Sequence, residues 1–268
     1  MKTKILVLIF SLALLPMLSG CKTDAKKSTD AEAEEVKEEA AATEEVALNT
    51  LTQAEADDGW VLLFDGKTSE GWRGYKQDSY PENWKIIDGT MYCIESGRGE
   101  AGAVNGGDII FDKKFKNFKL KLEWKIGEGG NSGIFYLAQE DSDKIWRTAP
   151  EMQVLDNERH IDAELGTDGN HQAGSLYDLI PAKPQNAKPA GEWNQVELIV
   201  YKGTVIHKQN GEKVVEYHLW TPEWNEMIKG SKFPSYNPNW AEVASEGYIG
   251  LQDHGDDVWF RNIKIKEM

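Results

Sequence analysis

The stretch Pro150-Glu-Met-Gln-Val-Leu-Asp156 alternates with a period of two residues, which is the pattern of a β-strand. In a strand, Glu151, Gln153 and Leu155 lie on one face, and the methionine and valine between them lie on the other. An acid and an amide then share a face, roughly 6.6–6.8 Å apart along the strand. Such a strand is commonly half-buried with a solvated outer side, so its role depends on the rest of the chain.

Strand-like runs recur along the chain, with turn signals between them. The clearest is Phe118–Ile126, where five apolar residues alternate with lysine and glutamate. Asp88-Gly89 and Asn210-Gly211 predict two hairpins, because these pairs accept the positive φ angles of a tight two-residue turn. The stretch from Leu219 to Ala244 predicts no regular element. Many short strands with little amphipathic helix predict a sandwich of two antiparallel sheets.

The N-terminus has the pattern of an export signal. Two lysines precede an apolar run from Ile5 to Leu18, which is too short to span a bilayer permanently. The string Leu18-Ser-Gly-Cys21 resembles a bacterial lipobox, and the resemblance implies that Cys21 becomes the lipidated first residue. We therefore predict a lipoprotein signal peptide at residues 1–20 and an exported protein anchored to an envelope membrane, on its periplasmic or cell-surface face. Ordinary signal-peptidase cleavage is the alternative.

Residues 21–56 consist mostly of charged and small side chains, which cannot bury enough surface to offset the entropy of ordering. We predict a flexible acidic tether there, and one β-rich domain at residues 57–268. If Cys21 is acylated, only Cys93 remains as a thiol, so no intrachain disulfide is expected. The net charge of −15 argues against a nucleic-acid partner, because binding phosphates requires clustered cations.

A set of short segments carries a resemblance to a known family. They are Leu122–Ile126, Gly129–Ile134, Glu151–Asn157, Lys188–Asn194, Gly250–Gly255 and Phe260–Ile263. In this order, over about residues 57 to 268, they resemble the 3-keto-disaccharide hydrolase family. The resemblance implies an all-β, concanavalin-like jelly roll of two curved antiparallel sheets whose concave face holds a sugar. It also implies action on glycosides already oxidised at the 3-hydroxyl.

Two features depart from the family pattern. The chain has Gly-Ser-Leu-Tyr at residues 174–177, where the family often has Gly-Ala-Leu-Tyr. A long insertion around Thr221 to Ala244 can reshape one rim of the sugar cleft.

The implied substrate defines the chemistry that the site must perform. A ketone at C3 makes the hydrogen on C2 acidic, because the resulting carbanion is delocalised into the carbonyl. The group at C1 can then leave, and addition of water gives net hydrolysis. These steps require a base near C2, a donor to the ketone oxygen and an acid for the leaving group. No redox cofactor is expected.

Glu151 and His254 are predicted to share the proton transfers, because both titrate and a jelly roll can bring distant strands onto one face. The residues predicted to bind the substrate are Asn131, Gln153, Asp156, His171, Tyr177, Gln252 and Arg261. Arg261 is also a candidate for stabilising enolate charge. Simpler structural roles stay open: His254 can cap a turn, Asp156 can shape a strand end, and Arg261 can pair with an acid. We expect Glu123 in a solvated ion pair, and Trp124 and Trp193 in the core.

A metal site is not predicted. Asp253, His254, Asp256 and Asp257 crowd one turn, but they match no metal-loop spacing. The need for a divalent metal stays open.

Two other functions remain possible from the sequence. Laminarinase-like retaining glycosidases of this fold carry Glu-x-Asp-x-x-Glu, where this chain has Glu151-x-Gln153-x-x-Asp156. A retaining mechanism requires two carboxyl groups about 5–5.5 Å apart, but residues five apart point to opposite faces unless a bulge intervenes. The second alternative is a noncatalytic, lectin-like module. The expected partners are an oxidised sugar and, through the lipid anchor, the envelope membrane; the oligomeric state is not predicted.

Overall fold

The structure, a computed structural model, describes residues 47–98 and 106–268. The predicted signal peptide, the lipidation site Cys21 and the tether up to residue 46 lie outside the described residues. Within the described ranges, no helix is both long and apolar enough to cross a membrane.

Two antiparallel sheets make up most of the described chain. The strands are β1 Val61–Leu62, β2 Trp72–Gly74, β3 Trp84–Ile87, β4 Thr90–Cys93, β5 Ile109–Phe111, β6 Phe118–Ile126, β7 Asn131–Ala138, β8 Glu151–Leu155, β9 Asn194–Tyr201, β10 Thr204–Gln209, β11 Glu212–His218, β12 Tyr248–Leu251 and β13 Val258–Glu267. The helices are α1 Gln53–Asp57 and α2 Pro222–Lys229, with 3-10 turns at Ile145–Arg147, Ile161–Glu164 and Phe233–Ser235.

The larger sheet has the strand order β11-β10-β9-β6-β13-β4-β3, with β1 also paired to β13, and the smaller has the order β2-β5-β12-β7-β8. Strands distant in sequence lie side by side, as in β6 beside β13 and β12 beside β7. The predicted all-β jelly-roll sandwich is confirmed.

The main core lies between the sheets. All five apolar residues of β6 are buried in it, and Met152 and Val154 of β8 enter it from the smaller sheet. Trp124 is a core residue, as predicted. Trp193 is not, because its ring lies 3.9 Å from the Arg261 guanidinium outside this cluster.

Both predicted hairpins form. Asp88 and Gly89 have φ angles of 50° and 71° between β3 and β4, and Asn210 and Gly211 have 50° and 86° between β10 and β11. Two successive positive φ angles fit the twist of the flanking strands, so these local signals were sufficient.

The stretch after β11 contains a helix that the sequence reasoning missed. The Thr221 hydroxyl accepts from the Trp224 N–H, Pro222 starts α2, and Trp224 and Ile228 are buried. A threonine cap followed by proline is a helix-start signal. The many prolines and glycines of the insertion concealed it.

The folded domain also begins before the predicted boundary at residue 57. The Asn49 N–H donates to Asn262 Oδ1 at 2.6 Å, and Asn49 Oδ1 accepts from the Asn262 N–H at 2.8 Å. Glu55 of α1 pairs with Lys264 of β13. Composition suggested a tether, but it cannot show partners that lie more than 200 residues away in sequence.

The site lies on the face of the smaller sheet that is turned away from the main core. Glu151 and Gln153 of β8 alternate with the core residues Met152 and Val154, so they point to this face. Every residue of β8 is nonetheless buried. The expectation of a half-buried strand with a solvated side is therefore wrong, because loops after β7, β8 and β11 cover that side.

Candidate active site

A cavity of about 370 Å³ opens on this face of the smaller sheet. Its volume lies within the range of small-molecule sites. The lining residues are Gly107, Asp108, Asn131, Lys144, Trp146, Arg147, Ala149, Glu151, Gln153, Tyr177, Lys232, Phe233, Tyr236, Trp240, Gln252, Asp253 and His254. The cavity thus brings together both predicted catalytic residues and four of the predicted substrate-binding residues.

Glu151 lies at the floor of the cavity and is only 8% exposed. Among the described residues, no hydrogen bond reaches its carboxyl group. Its side chain extends over Gly133 of the neighbouring strand, where a Cβ atom would collide with Glu151 Oε1. The glycine therefore provides the space that the carboxyl group occupies.

The carboxyl group of Glu151 holds its proton unusually strongly. Burial and the nearby negative charge of Asp108 raise its pKa to about 8, and the ammonium of Lys232 opposes this rise. Burial likewise raises the pKa of Asp108 to about 7. Two carboxyl groups with raised pKa values in one cavity are typical of acid–base sites. Asp108 was not predicted, because a single acid ahead of a short strand carries no sequence signal.

His254 lies in the cavity wall beside Asn131. Its Nε2 is 3.4 Å from Asn131 Nδ2, and its Nδ1 is 3.6 Å from an Asp256 carboxylate oxygen. The same Asp256 oxygen accepts from the Asn131 N–H at 3.0 Å. His254 is therefore oriented by an amide and an acid while it still faces the cavity.

One group of side chains near His254 has donors suited to a metal ion. His160, His254 and Asp256 place one donor atom each within 4.8 Å of one another. Imidazole and carboxylate donors together suit several divalent metals. The sequence reasoning considered His254 and Asp256 but missed His160, because it lies on a different loop.

His171 lies behind the cavity wall. Its Nδ1 is 2.8 Å from Asp162 Oδ1, and its Nε2 is 2.7 Å from Asp178 Oδ1. Burial lowers its pKa, but the two carboxylates outweigh burial and raise the pKa to about 9. Its ring centroid lies 4.5 Å from that of Tyr177. The structure thus places His171 as a support for Tyr177.

Lys232 faces Tyr177 from the insertion after α2. Its Nζ donates to the Tyr177 hydroxyl at 3.3 Å and lies 4.4 Å from the ring centroid. A cation thus stands in the cavity wall, close enough to Glu151 to oppose the rise of its pKa. The sequence reasoning missed Lys232, because the stretch around it predicted no regular structure.

Gln153 and Gln252 supply amides to the cavity. Gln153 Oε1 accepts from the Val154 N–H at 3.1 Å, which leaves its NH₂ group as a donor. Within the described residues, the Oε1 of Gln252 has no hydrogen-bond partner. Both amides are therefore able to bind polar groups of a ligand.

Asp156 does not line the cavity. Its carboxylate accepts from the backbone N–H groups of Gly129 and Glu158, at 2.8 and 3.1 Å. These bonds and Arg159 outweigh burial and lower its pKa. Asp156 shapes the strand end, so the laminarinase-like pattern lacks its second carboxylate at the site.

Arg261 also lies outside the cavity, on the other sheet. Its Nε donates to Glu123 Oε2 at 2.7 Å, and its guanidinium covers the Trp193 ring. The assignment of Arg261 to substrate is corrected: it is a paired structural arginine. Strict alternation along β13 predicts that Arg261 shares a face with the buried Ile263, but a register shift between Arg261 and Lys264 turns it outward.

Comparisons with known proteins identify the family. Residues 59–266 match the family described as the 3-keto-alpha-glucoside-1,2-lyase-like domain. A 3-keto-disaccharide hydrolase of Bacteroides thetaiotaomicron is 54% identical over 227 residues, which cover 78% of each chain.

Two crystal structures of candidate glycosyl hydrolases from Parabacteroides distasonis are also similar. One has a TM-score of 0.73 and 29% identity, and covers 83% of this chain and 100% of its own. The other has a TM-score of 0.61 and 28% identity, and covers 78% of this chain and 99% of its own. The enzyme expected from the resemblance is confirmed as a hydrolase, and the chain belongs to the family of 3-keto-alpha-glucoside-1,2-lyase-like domains.

Proposed function

We propose that this enzyme cleaves glycosides or disaccharides already oxidised to a ketone at C3. The C2 proton is removed first, and the resulting enolate expels the group at C1. Water then adds across the C1–C2 double bond, which returns a proton to C2 and gives net hydrolysis. A relative named for 3-keto-disaccharide hydrolysis, which is 54% identical, supports this substrate class.

Glu151 and His254 divide the proton transfers between them. A carboxyl group with a pKa of about 8 is protonated at neutral pH, so Glu151 can donate to the departing oxygen. His254 then takes the C2 proton. In the hydration step the roles reverse: the Glu151 carboxylate activates water at C1, and protonated His254 returns a proton to C2.

The remaining cavity residues hold the sugar and its developing charge. The amides of Asn131, Gln153 and Gln252 can bind hydroxyl groups or the ketone. The ammonium of Lys232 and the hydroxyl of Tyr177 can stabilise an enolate oxygen in this cavity.

The observation that carries the proposal is the Glu151 carboxyl group, which is buried in a cavity that His254 shares and has no hydrogen bond from any residue that the structure describes. An uncompensated acid is expensive to bury, so its retention points to chemistry. A redox cofactor is not required, since the ketone is already present.

The test compares an oxidised disaccharide with its unoxidised parent. The purified protein should cleave the 3-keto-disaccharide and leave the parent intact, because only the ketone acidifies the C2 hydrogen. Cleavage of both at similar rates would contradict the proposal and favour a conventional glycosidase.

We further propose that Cys21 carries the lipid anchor expected from the sequence. Cells expressing the full chain and fed labelled palmitate should incorporate the label, and Cys21→Ser should abolish it. Equal labelling of both proteins would exclude this anchor.

A further inference from the structure

One end of the cavity is walled by two aromatic side chains, Trp146 and Tyr236, which we call the aromatic rim. Trp146 belongs to the 3-10 turn Ile145–Arg147, and Tyr236 follows the turn Phe233–Ser235. Their ring centroids lie 4.9 Å apart with an interplanar angle of 85°, so the rings form a corner. Tyr236 is 47% exposed. The rim thus presents apolar surface to a polar cavity.

The rim is held in place from behind. Trp240 Nε1 donates to the carbonyl oxygen of Trp146 at 2.8 Å, and Asn237 Nδ2 donates to that of Arg147 at 2.8 Å. The Trp240 ring stacks on Phe233 with centroids 4.1 Å apart. These contacts join the two segments before any ligand arrives, which lowers the entropic cost of binding.

The register of β7 and β8 places the rim along the cleft. Asn131, beside His254, and Phe135, opposite Glu151, lie four residues apart on β7, about 13 Å at strand spacing. Trp146 packs on the apolar cluster that contains Phe135. Glu151, lying over Gly133, therefore stands between the His254 end and the rim.

Polar groups beside the rim narrow the class of ligand. The Arg147 guanidinium lies 5.2 Å from the Trp146 ring centroid, so it covers part of that ring, and Tyr236 carries most of the exposed surface. One end of this guanidinium already pairs with Asp143 Oδ1 at 2.6 Å. Lys144 also lines the cavity. A flat apolar face beside the Lys144 ammonium suits a saturated ring with hydroxyl groups on its edge.

We propose that the aromatic rim binds the leaving group and that this group is a second sugar ring. The proposal rests on the proposed function, because it assumes that cleavage occurs beside Glu151. The oxidised sugar occupies the His254 end, the bond to be broken lies at Glu151, and the leaving sugar packs its C–H face on Tyr236. The rim thereby selects disaccharides over glycosides with small leaving groups.

The test uses two substrates with the same 3-keto-glucosyl group. One has a sugar as leaving group, and the other has a methyl group. Tyr236→Ala should raise KM for the disaccharide about five- to tenfold and KM for the methyl glycoside much less. Tyr236→Phe, which keeps the ring, should restore most of the loss. Tyr201→Ala removes a comparably exposed tyrosine outside the cavity and serves as the matched control.

Equal KM increases for both substrates in Tyr236→Ala, or none for either, would overturn the rim proposal. A binding titration with the unoxidised disaccharide, followed by tryptophan fluorescence, needs no turnover. The wild-type protein should bind more tightly than Tyr236→Ala, and equal affinities would overturn the rim proposal. If the wild-type protein cleaves neither oxidised substrate, the proposed reaction fails, and the titration still decides the role of the rim.

Discussion

Glu151 and Glu123 occupy similar positions in their strands, but their surroundings give them opposite properties. Both alternate with core residues on the outer face of a sheet. Glu123 pairs with Arg261 at 2.7 Å on the larger sheet, whereas Glu151 is covered by loops and raised in pKa to about 8. A carboxylate with a cation beside it is structural, and one buried without such a partner is available for chemistry.

The largest expected effect is on turnover, which should depend on Glu151 and not on Glu123. Glu151→Gln should lower turnover of a 3-keto-disaccharide by about 10²–10⁴-fold, because it removes the proton donor. Glu123→Gln should leave turnover near the wild-type level and cost at most about 1 kcal/mol of stability, as is usual for a partly exposed ion pair. Steady-state rates and urea unfolding measure both. Similar turnover in the two variants would show that Glu151 has no catalytic role that Glu123 lacks.

A second variant moves the Glu151 carboxyl group without removing it, and so tests whether its position matters for turnover. Gly133→Ala places a methyl group where Oε1 lies, and a misplacement of this size should lower turnover about 10²-fold. Gly230→Ala, where a Cβ atom meets only ordinary contacts, is the matched control. Unchanged turnover in Gly133→Ala would show that the position of the carboxyl group is not critical.

The raised pKa of Glu151 should also make the free energy of unfolding depend on pH. The folded protein keeps a proton that the unfolded chain releases above about 4.5, so stability should fall as pH rises from there towards 8. Asp108 adds to this fall at slightly lower pH. Glu151→Gln should flatten the profile, because an amide does not titrate. Urea midpoints measured from pH 5 to 8.5 provide the test, and parallel profiles for the two proteins would contradict it.

His171 should have a smaller effect on the pH dependence of stability. Its pKa is raised by ion pairs, whereas that of Glu151 is raised by burial. Its folded pKa of about 9 lies above the ordinary 6.5, so its ion pairs stabilise fully below pH 6.5 and the effect is lost as pH rises through 9. His171→Gln should cost about 2 kcal/mol at pH 6 and less at pH 9.5. His218→Gln, an exposed histidine, is the control. Equal costs at both pH values would show that charge is not involved.

Local sequence patterns correctly predicted the turns and strands whose conformation depends only on neighbouring residues. The Asp88-Gly89 and Asn210-Gly211 turns and the β6 strand formed as expected, because their conformations follow from φ preferences and alternation. The sequence also singled out the Glu151 segment, which contributes Glu151 and Gln153 to the cavity lining.

The rest of the site required tertiary information. Alternation shows that Glu151 leaves the core, but it cannot show that loops cover it, and it does not predict that Arg261 turns outward. Asp108 and Lys232 reach the cavity from irregular segments with no periodic signal. The early start of the domain was missed because Asn49 finds its partner on the last strand.

The most direct test of the account is cleavage of a 3-keto-disaccharide in deuterated water. Removal of the C2 proton by His254, and its exchange with the solvent before a proton returns to C2, predicts a 3-keto sugar product that carries deuterium at C2, as seen by NMR or mass spectrometry. A product that retains its original hydrogen at C2 in every molecule would contradict proton abstraction as the first step.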